Sequence, residues 1–474
     1  MKRSITPGDW LLAAGEQHSE AIAVTSGQRQ TRYRQLSCEA ASLAQALADV
    51  GICRGQVVAL QTGSSQQIAA LLYAALHLGV ALMPLDPAME ADRRDRLLES
   101  IGCDWLVVSG EGGGGIPAQA LFSAAAGIDP SRVSPGRPLA RDQVQLIIAT
   151  SGTTGQPKGV MLSAANLSAS VTASRQRLGL AAEDCWLACL PLFHIGGLSI
   201  LLRTLEAAAH VHLLDRFTAE AVWAEVGSGR VSHLSLVPAM LDRLLTHAGK
   251  VRPPAALRAV LVGGGPLSTE LARRARRQGW PLCVSYGMSE TASQFATDCS
   301  ATAGEEPGQV GLPLPGYQVR LAGDGRIRVR GPAVMLGYAN REREPGGGLE
   351  QGWYETGDLG RIDEAGRLQV IGRADDLLVS GGRNIHPAEV EARLLQCPGV
   401  TGVGVTGRED PVWGVVLVAL FTGEVTERAL EQWSRNHLPG PLRPRQFVAV
   451  SALPLNTMGK LYRPGLRQLI TDQD

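Results

Sequence analysis

Ten consecutive residues, Thr150-Ser151-Gly152-Thr153-Thr154-Gly155-Gln156-Pro157-Lys158-Gly159, hold four hydroxyls, three glycines and one lysine. Hydroxyls and bare backbone N–H groups bond phosphate oxygens, and a lysine adds a point charge. The strand-like run Leu146–Ala149 feeds straight into them, and a buried strand presents ligand loops at its carboxyl end. The spacing is not that of a Walker A loop: Lys158 does not follow the required glycine, and Gly159 stands where Ser or Thr belongs. Nor is it the G-x-G-x-x-G of a dinucleotide fold. The chemistry indicated is the binding of phosphate groups by a loop that fits neither the Walker A nor the dinucleotide pattern.

Other chemically capable residues stand singly. Glu290 ends Tyr286-Gly287-Met288-Ser289-Glu290, Asp358 follows Gly357, Arg373 precedes Ala374-Asp375-Asp376, and Lys460 follows Gly459. Each alone reads as an ordinary turn or surface residue. His194, one of nine histidines, lies between Phe193 and Ile195, where a core role is the usual reading. The eight cysteines form no C-x-x-C pair and no zinc set, so they read as free thiols in a reducing cytosol.

These residues need a large frame. The 474 residues suffice for two to four domains at ~100–200 residues each. Apolar residues make up 45% and charged ones 19%, which excludes a mostly disordered chain. Lys plus Arg and Asp plus Glu are 45 each, so the bulk charge that marks nucleic-acid binders is missing. No apolar run reaches the ~18–20 residues of a transmembrane segment, and the start, broken by Pro7, Gly8 and Asp9, does not read as a signal peptide.

Over the first 300 residues short apolar runs alternate with helix-length segments. Strands are expected at Val57–Leu60, Val80–Met83, Trp105–Val108, Val211–Leu214, Leu234–Val237, Ala259–Val262 and Leu282–Ser285, with a helix at Gln66–Leu78. That alternation predicts α/β architecture, with parallel-rich sheets covered by helices. Gly110–Gly115 and the Ala/Pro/Ser-rich stretch after it read as a surface connection. Asp324-Gly325 marks a hairpin, within a β-rich subdomain at about 310–370. After Arg373 a small α+β unit begins, with a helix at Pro387–Leu395, strands at Val400–Val405 and Val415–Phe421, a helix from Thr426 and a strand at Phe447–Val450.

The loop at 150–159 closely resembles the signature loop of adenylate-forming enzymes, the superfamily of acyl-CoA synthetases, peptide-synthetase adenylation domains and luciferase-like enzymes. Six further segments resemble its motifs in the same order: Pro191–Gly197, Gly263-Gly264-Gly265-Pro266, Tyr286–Thr291, Tyr354-Glu355-Thr356-Gly357-Asp358, Gly372–Asp376 with Ser380–Ile385 behind it, and Pro454–Lys460. Ser289 replaces the usual Thr and keeps its hydroxyl. The resemblance runs over nearly the whole chain.

It implies an ATP- and acyl-binding N-terminal domain over 1–373 and a mobile C-terminal domain over 374–474. It implies that Thr150, Ser151, Gly152, Thr153, Thr154, Gly155 and Lys158 meet the ATP phosphates, and that Gly264, Gly265, Pro266, Tyr286, Gly287 and Ser289 surround the nucleotide. Asp358 then takes the ribose hydroxyls, Arg373 adds a cation, and Glu290 helps hold Mg²⁺. His194 borders the reacting carboxylate. Lys460 bridges carboxylate and phosphate, Asp375 is the hinge, and Gly381 and Gly382 line a pantetheine tunnel. The expected cofactor and co-substrates are Mg²⁺, ATP and coenzyme A, the partners small molecules and no nucleic acid, the location cytoplasmic.

The run Asp184–Ser199 is similar to that of 2-succinylbenzoate–CoA ligases of menaquinone synthesis. That implies a substrate with two carboxylates, the second of which needs a cation or N–H donors. Arg203, nine residues beyond His194, is the candidate, against the plainer reading of an exposed or capping arginine. Another aryl- or fatty-acyl-CoA ligase, or an adenylation domain loading a carrier protein, stays open.

Overall fold

The computed structural model describes residues 7–110, 114–133, 136, 139–151, 157–380, 383–410, 414–455 and 461–471. A seven-stranded sheet has parallel strands Val57–Gln61, Ala81–Leu85 and Trp105–Val108 near its middle, and the antiparallel pair Val144–Ser151 and Pro157–Ser163 beside them. The helix Ser65–Leu78 joins two of these strands. Ser64 caps it by accepting from the Gln67 N–H, and Gly79, at φ +79°, ends it in the left-handed region that glycine tolerates.

The second sheet runs parallel through Ile22–Ser26, His210–Leu213, Cys185–Ala188, His233–Leu236, Ala259–Val262 and Leu282–Met288. It then turns antiparallel at Ser293–Asp298 and Gln309–Pro313, and continues into Leu368–Arg373, Trp353–Ile362, Arg326–Arg330 and Gln318–Leu321. The β-rich region is therefore an extension of this sheet rather than a detached module. The hairpin at Asp324-Gly325 is present, with Gly325 at φ +86°.

A third, five-stranded sheet includes Leu378–Ser380, Arg383–Ile385, Val400–Asp410, Gly414–Gly423 and Gln446–Ala449. The helices Pro387–Leu394 and Glu427–His437 accompany it, and Leu378, Val390, Leu394, Phe421 and Leu430 form its own core. The molecule is thus a large α/β body followed by a smaller α+β one.

Two expectations are corrected. The Ala-rich stretch after Gly115 is not only loop: Ala118–Ala126 is a helix, because alanine favours helix and Leu121 buries against the core. Nor are all the thiols free. Cys283 and Cys299 are disulfide-bonded, brought opposite one another by the register that pairs Val284 with Asp298. Among the described residues no helix is long and apolar enough to cross a membrane.

Candidate active site

The residues on either side of the glycine- and hydroxyl-rich loop form an antiparallel strand pair. Val144–Ser151 climbs out of the core with Leu146, Ile147 and Ile148 fully buried, and the chain returns at Pro157. Thr150 pairs with Lys158 and Ser151 with Pro157. A P-loop leads from strand into helix; strand–loop–strand explains why the Walker spacing is not met. Gly159 is required at the base, since a Cβ there would sit 2.8 Å from Ile147 Cγ2. Gly152, Thr153, Thr154 and Gly155 lie outside the described residues.

Lys158 Nζ lies 4.8 Å from the centroid of the Tyr338 ring, and the Tyr338 hydroxyl donates to Glu290 Oε1 at 2.8 Å. Glu290 sits in the single turn Ser289–Thr291 and is buried. Its backbone carbonyl accepts from the Met335 N–H at 2.8 Å. Burial first, and then the Glu290 charge, push the Tyr338 and Tyr354 hydroxyls well above the ordinary phenol range, so both stay protonated donors. Among the described residues no three His, Cys, Asp or Glu side chains gather as a metal site. A lone carboxylate suits Mg²⁺ whose other ligands are phosphate oxygens and water.

The other end is built on neighbouring strand ends. Val262 pairs with Val284, so the loop Gly263–Pro266 leaves the sheet beside the strand that carries Tyr286, itself paired with Ala296. Gly264 has φ +75°. A Cβ on Gly287 would lie 2.1 Å from the Ser293 carbonyl. Tyr286 donates to Asp358 Oδ2, and Asp358 pairs in register with Arg373, whose Nη1 is 3.6 Å from Asp358 Oδ1. Arg373 also reaches Asp375 at 3.4 Å. Burial lowers the basicity of Arg373, but the carboxylates of Asp358, Asp375 and Asp376 outweigh it and hold the guanidinium charged.

His194 N-caps the helix Ile195–Ala207, with its ring 4.6 Å from that of Phe193. The turn is tight: a Cβ on Gly197 would meet the Pro191 carbonyl at 2.4 Å. A cleft of about 210 Å³ is bordered by Pro191, Leu192, Phe193, Ser65, Phe217 and Met240.

Arg203, on the same helix, is neither exposed nor a cap. It is 1% exposed, which corrects the plainer reading. The helix turns it inward beneath Ser293 Oγ and Gln294 Oε1, each 2.9 Å from Nη2, with the Trp186 ring 5.3 Å away. Burial pulls its pKa down to about 10. Among the described residues no carboxylate pairs with it, and both its Nε and Gln294 Nε2 are buried without a hydrogen-bond partner. Lys460, Gly381 and Gly382 lie outside the described residues, as does the Asn384 side chain.

Sequence reasoning missed Tyr338, Ser293, Gln294 and Trp186. Ser293 and Gln294 follow Tyr286–Thr291 after a single alanine, so two polar residues opening a buried strand were the available signal. Tyr338 carried none, because its contact with Glu290 spans 48 positions.

Two family models match: AMP-binding enzyme over residues 11–339, and AMP-binding enzyme C-terminal domain over 389–460. The chain is 33% identical over 482 residues to a 2-succinylbenzoate–CoA ligase of Geobacillus sp. (98% of each), and 35% over 472 to one of Bacillus licheniformis (96% of this chain, 98% of the other). Among solved structures, the o-succinylbenzoate CoA synthetase of Bacillus subtilis in complex with the acyl-adenylate intermediate OSB-AMP superposes with TM-score 0.89 at 32% identity, covering 97% of each chain. ATP-bound MatB from Rhodopseudomonas palustris gives 0.88 at 26%, covering 98% of this chain and 99% of that one. The chain belongs to the AMP-binding enzyme family, the adenylate-forming acid–CoA ligases.

Proposed function

We propose that this protein is a 2-succinylbenzoate–CoA ligase of menaquinone synthesis, working in the cytoplasm on MgATP, the acid and coenzyme A. The observation that carries the choice of acid is Arg203: a buried guanidinium with no carboxylate partner among the described residues, on the helix that His194 caps. A buried cation without an anion is costly, and a diacid supplies the anion when it binds.

In the first half-reaction one carboxylate oxygen of the acid attacks the α-phosphorus of ATP and pyrophosphate leaves. Both reactants are anions, so neutralisation and in-line placement dominate the barrier. Lys158 and the hydroxyls from Thr150 onward hold the phosphates. Glu290, fixed by Tyr338, takes the magnesium of MgATP, and Asp358 accepts the ribose hydroxyls. Lys460 bridges the attacking carboxylate and the α-phosphate. In the second half-reaction the thiol of CoA attacks the acyl carbonyl and AMP departs. The segment beyond residue 373 turns about Asp375 between the two, withdrawing Lys460 and bringing Gly381 and Gly382 to the thiol path.

The test is an ATP-dependent thioester assay with 2-succinylbenzoate, benzoates, fatty acids and amino acids. A higher kcat/KM for a medium-chain fatty acid than for 2-succinylbenzoate would overturn the choice of acid. Turnover with a phosphopantetheinyl protein in place of free CoA would favour a carrier-loading domain.

A further inference from the structure

Tyr338 meets two groups of opposite charge at the phosphate site. Its ring face carries the ammonium of Lys158, with Nζ 4.8 Å from the centroid, and its hydroxyl donates to Glu290 Oε1 at 2.8 Å. Among the described residues neither Lys158 nor Glu290 enters an ion pair. A second hydroxyl, that of Tyr354, lies 3.3 Å from the first. The two charges therefore share one neutral side chain instead of pairing with each other. A salt bridge would cancel the carboxylate charge that suits a hard cation. A phenol O–H orients the carboxylate and leaves its charge in place. The ring treats the lysine likewise: a π face attracts an ammonium without neutralising it.

The tyrosine is itself held. The strand Gly337–Tyr338 pairs antiparallel with Met161 and Val160, on the strand that carries Lys158. The Ala339 N–H donates to the Gly159 carbonyl at 2.7 Å, and the Tyr338 N–H to the Gly347 carbonyl at 2.8 Å. Three residues before Tyr338, the Met335 N–H donates to the Glu290 carbonyl at 2.8 Å. Gly348, at φ +82°, lies against the ring: a Cβ there would sit 2.6 Å from Cδ2 and Cε2. Backbone bonds thus run from the Tyr338 segment to the neighbour of Lys158 on one side and to Glu290 on the other.

We propose that Tyr338 is a positioning residue whose two parts act separately: its ring seats Lys158 for the ATP phosphates, and its hydroxyl aims Glu290 at the magnesium of MgATP. This rests on the roles of Lys158 and Glu290 proposed above. Removing the hydroxyl alone should then weaken what Mg²⁺ adds to nucleotide binding, and removing the ring should also weaken binding of the nucleotide without metal.

The experiment is calorimetric binding to the full chain of ATP in a chelator and of ATP with saturating Mg²⁺, for wild type, Tyr338→Phe, Tyr338→Leu and Glu290→Gln. In Tyr338→Phe the Kd for metal-free ATP is expected to stay within about twofold of wild type. The gain in affinity on adding Mg²⁺ is expected to fall about tenfold, as for a lost hydrogen bond to a charged group. Tyr338→Leu is expected to lose that gain and to bind metal-free ATP about threefold or more weakly. A merely structural role would weaken both forms together in Tyr338→Phe and lower its melting temperature. That result, or an undiminished Mg²⁺ gain in Tyr338→Phe, overturns the proposal. Unchanged metal-free affinity in Tyr338→Leu overturns the part given to the ring. If Tyr338→Leu does not fold, Tyr338→Phe decides by the same criterion; if neither folds, Tyr338 serves stability alone and the proposal falls. An undiminished Mg²⁺ gain in Glu290→Gln would instead overturn the underlying role of Glu290, which separates the two failures.

Discussion

The Tyr286 hydroxyl lies 2.5 Å from Asp358 Oδ2, a contact between residues 72 positions apart that ties the strand Leu282–Met288 to the strand Trp353–Ile362. The other oxygen of Asp358 faces Arg373 at 3.6 Å. The carboxylate is thus oriented from both sides, and its backbone N–H is fixed as well, donating to Thr356 Oγ1 at 3.1 Å. Burial, followed by the Asp358 charge, raises the Tyr286 hydroxyl far above the ordinary phenol range, so it remains a donor throughout the working pH range.

Tyr286→Phe removes that donor while keeping the ring packed on Phe295, 4.9 Å away. A hydrogen bond to a charged group contributes about 1.5–3 kcal/mol. The expected outcome is a KM for ATP raised roughly tenfold or more, with the KM for the acid little changed. Initial rates over an ATP titration check this; an unaltered KM for ATP would show that Asp358 does not need the hydroxyl to hold its orientation.

Turnover should release AMP and pyrophosphate and require Mg²⁺. Glu290 is the buried carboxylate near the phosphate hairpin, linked to it through Tyr338 and Lys158. Glu290→Gln keeps an oxygen for Tyr338 but loses the charge that suits a hard cation. The Mg²⁺ concentration giving half-maximal rate should rise about tenfold or more. Nucleotide products resolved by chromatography are the check, and ADP in their place would refute the adenylate chemistry.

Arg203 sets stability against function. Its charge is disfavoured by burial at every pH below about 10. Because the folded pKa is lower than the unfolded one, this cost is fully present at neutral pH. It is relieved only as pH climbs from the folded pKa toward the unfolded value. Arg203→Met should therefore leave the melting temperature at neutral pH unchanged or higher, despite sitting in the core. The same change should raise KM for a diacid by at least tenfold, in line with about 1.5–3 kcal/mol for a charged hydrogen bond. It should do much less to a monoacid. A fall in melting temperature with unchanged KM for 2-succinylbenzoate would assign Arg203 to the core alone.

How far these features were legible depended on sequence distance. The helix expected at Gln66–Leu78 is Ser65–Leu78, and that expected at Pro387–Leu395 is Pro387–Leu394. Local capping and apolar periodicity suffice there. The phosphate loop was legible as composition, but its hairpin form was not, because the return strand Pro157–Ser163 is defined by pairing with Val144–Ser151. Arg203 could be named as the candidate cation but not oriented, since its inward turn depends on Ser293 and Gln294 from another sheet region. The Cys283–Cys299 bond and the ion pairs of Arg463 with Asp376 and Glu391 were hidden for the same reason: each is made by strands and helices that meet only in the folded chain.

The two half-reactions should separate genetically. On the mechanism proposed above, Lys460 matters where a carboxylate attacks the α-phosphate, the step at which negative charges are forced together. Removing a preorganised group of that kind costs about 10²–10³ in rate. On the same proposed mechanism, Gly382 matters only once the hinge has turned, since a narrow channel for a pantetheine arm would tolerate no side chain. Lys460→Ala should lose acyl-adenylate formation from acid and ATP, yet still convert a supplied acyl adenylate to the CoA thioester. Gly382→Leu should do the reverse, accumulating adenylate and stalling before the thioester. Rapid-quench analysis of both variants reads the two steps independently. If each variant lost both steps equally while remaining folded, one arrangement of the active site would have to serve both reactions, and rotation about Asp375 would have no part in the mechanism.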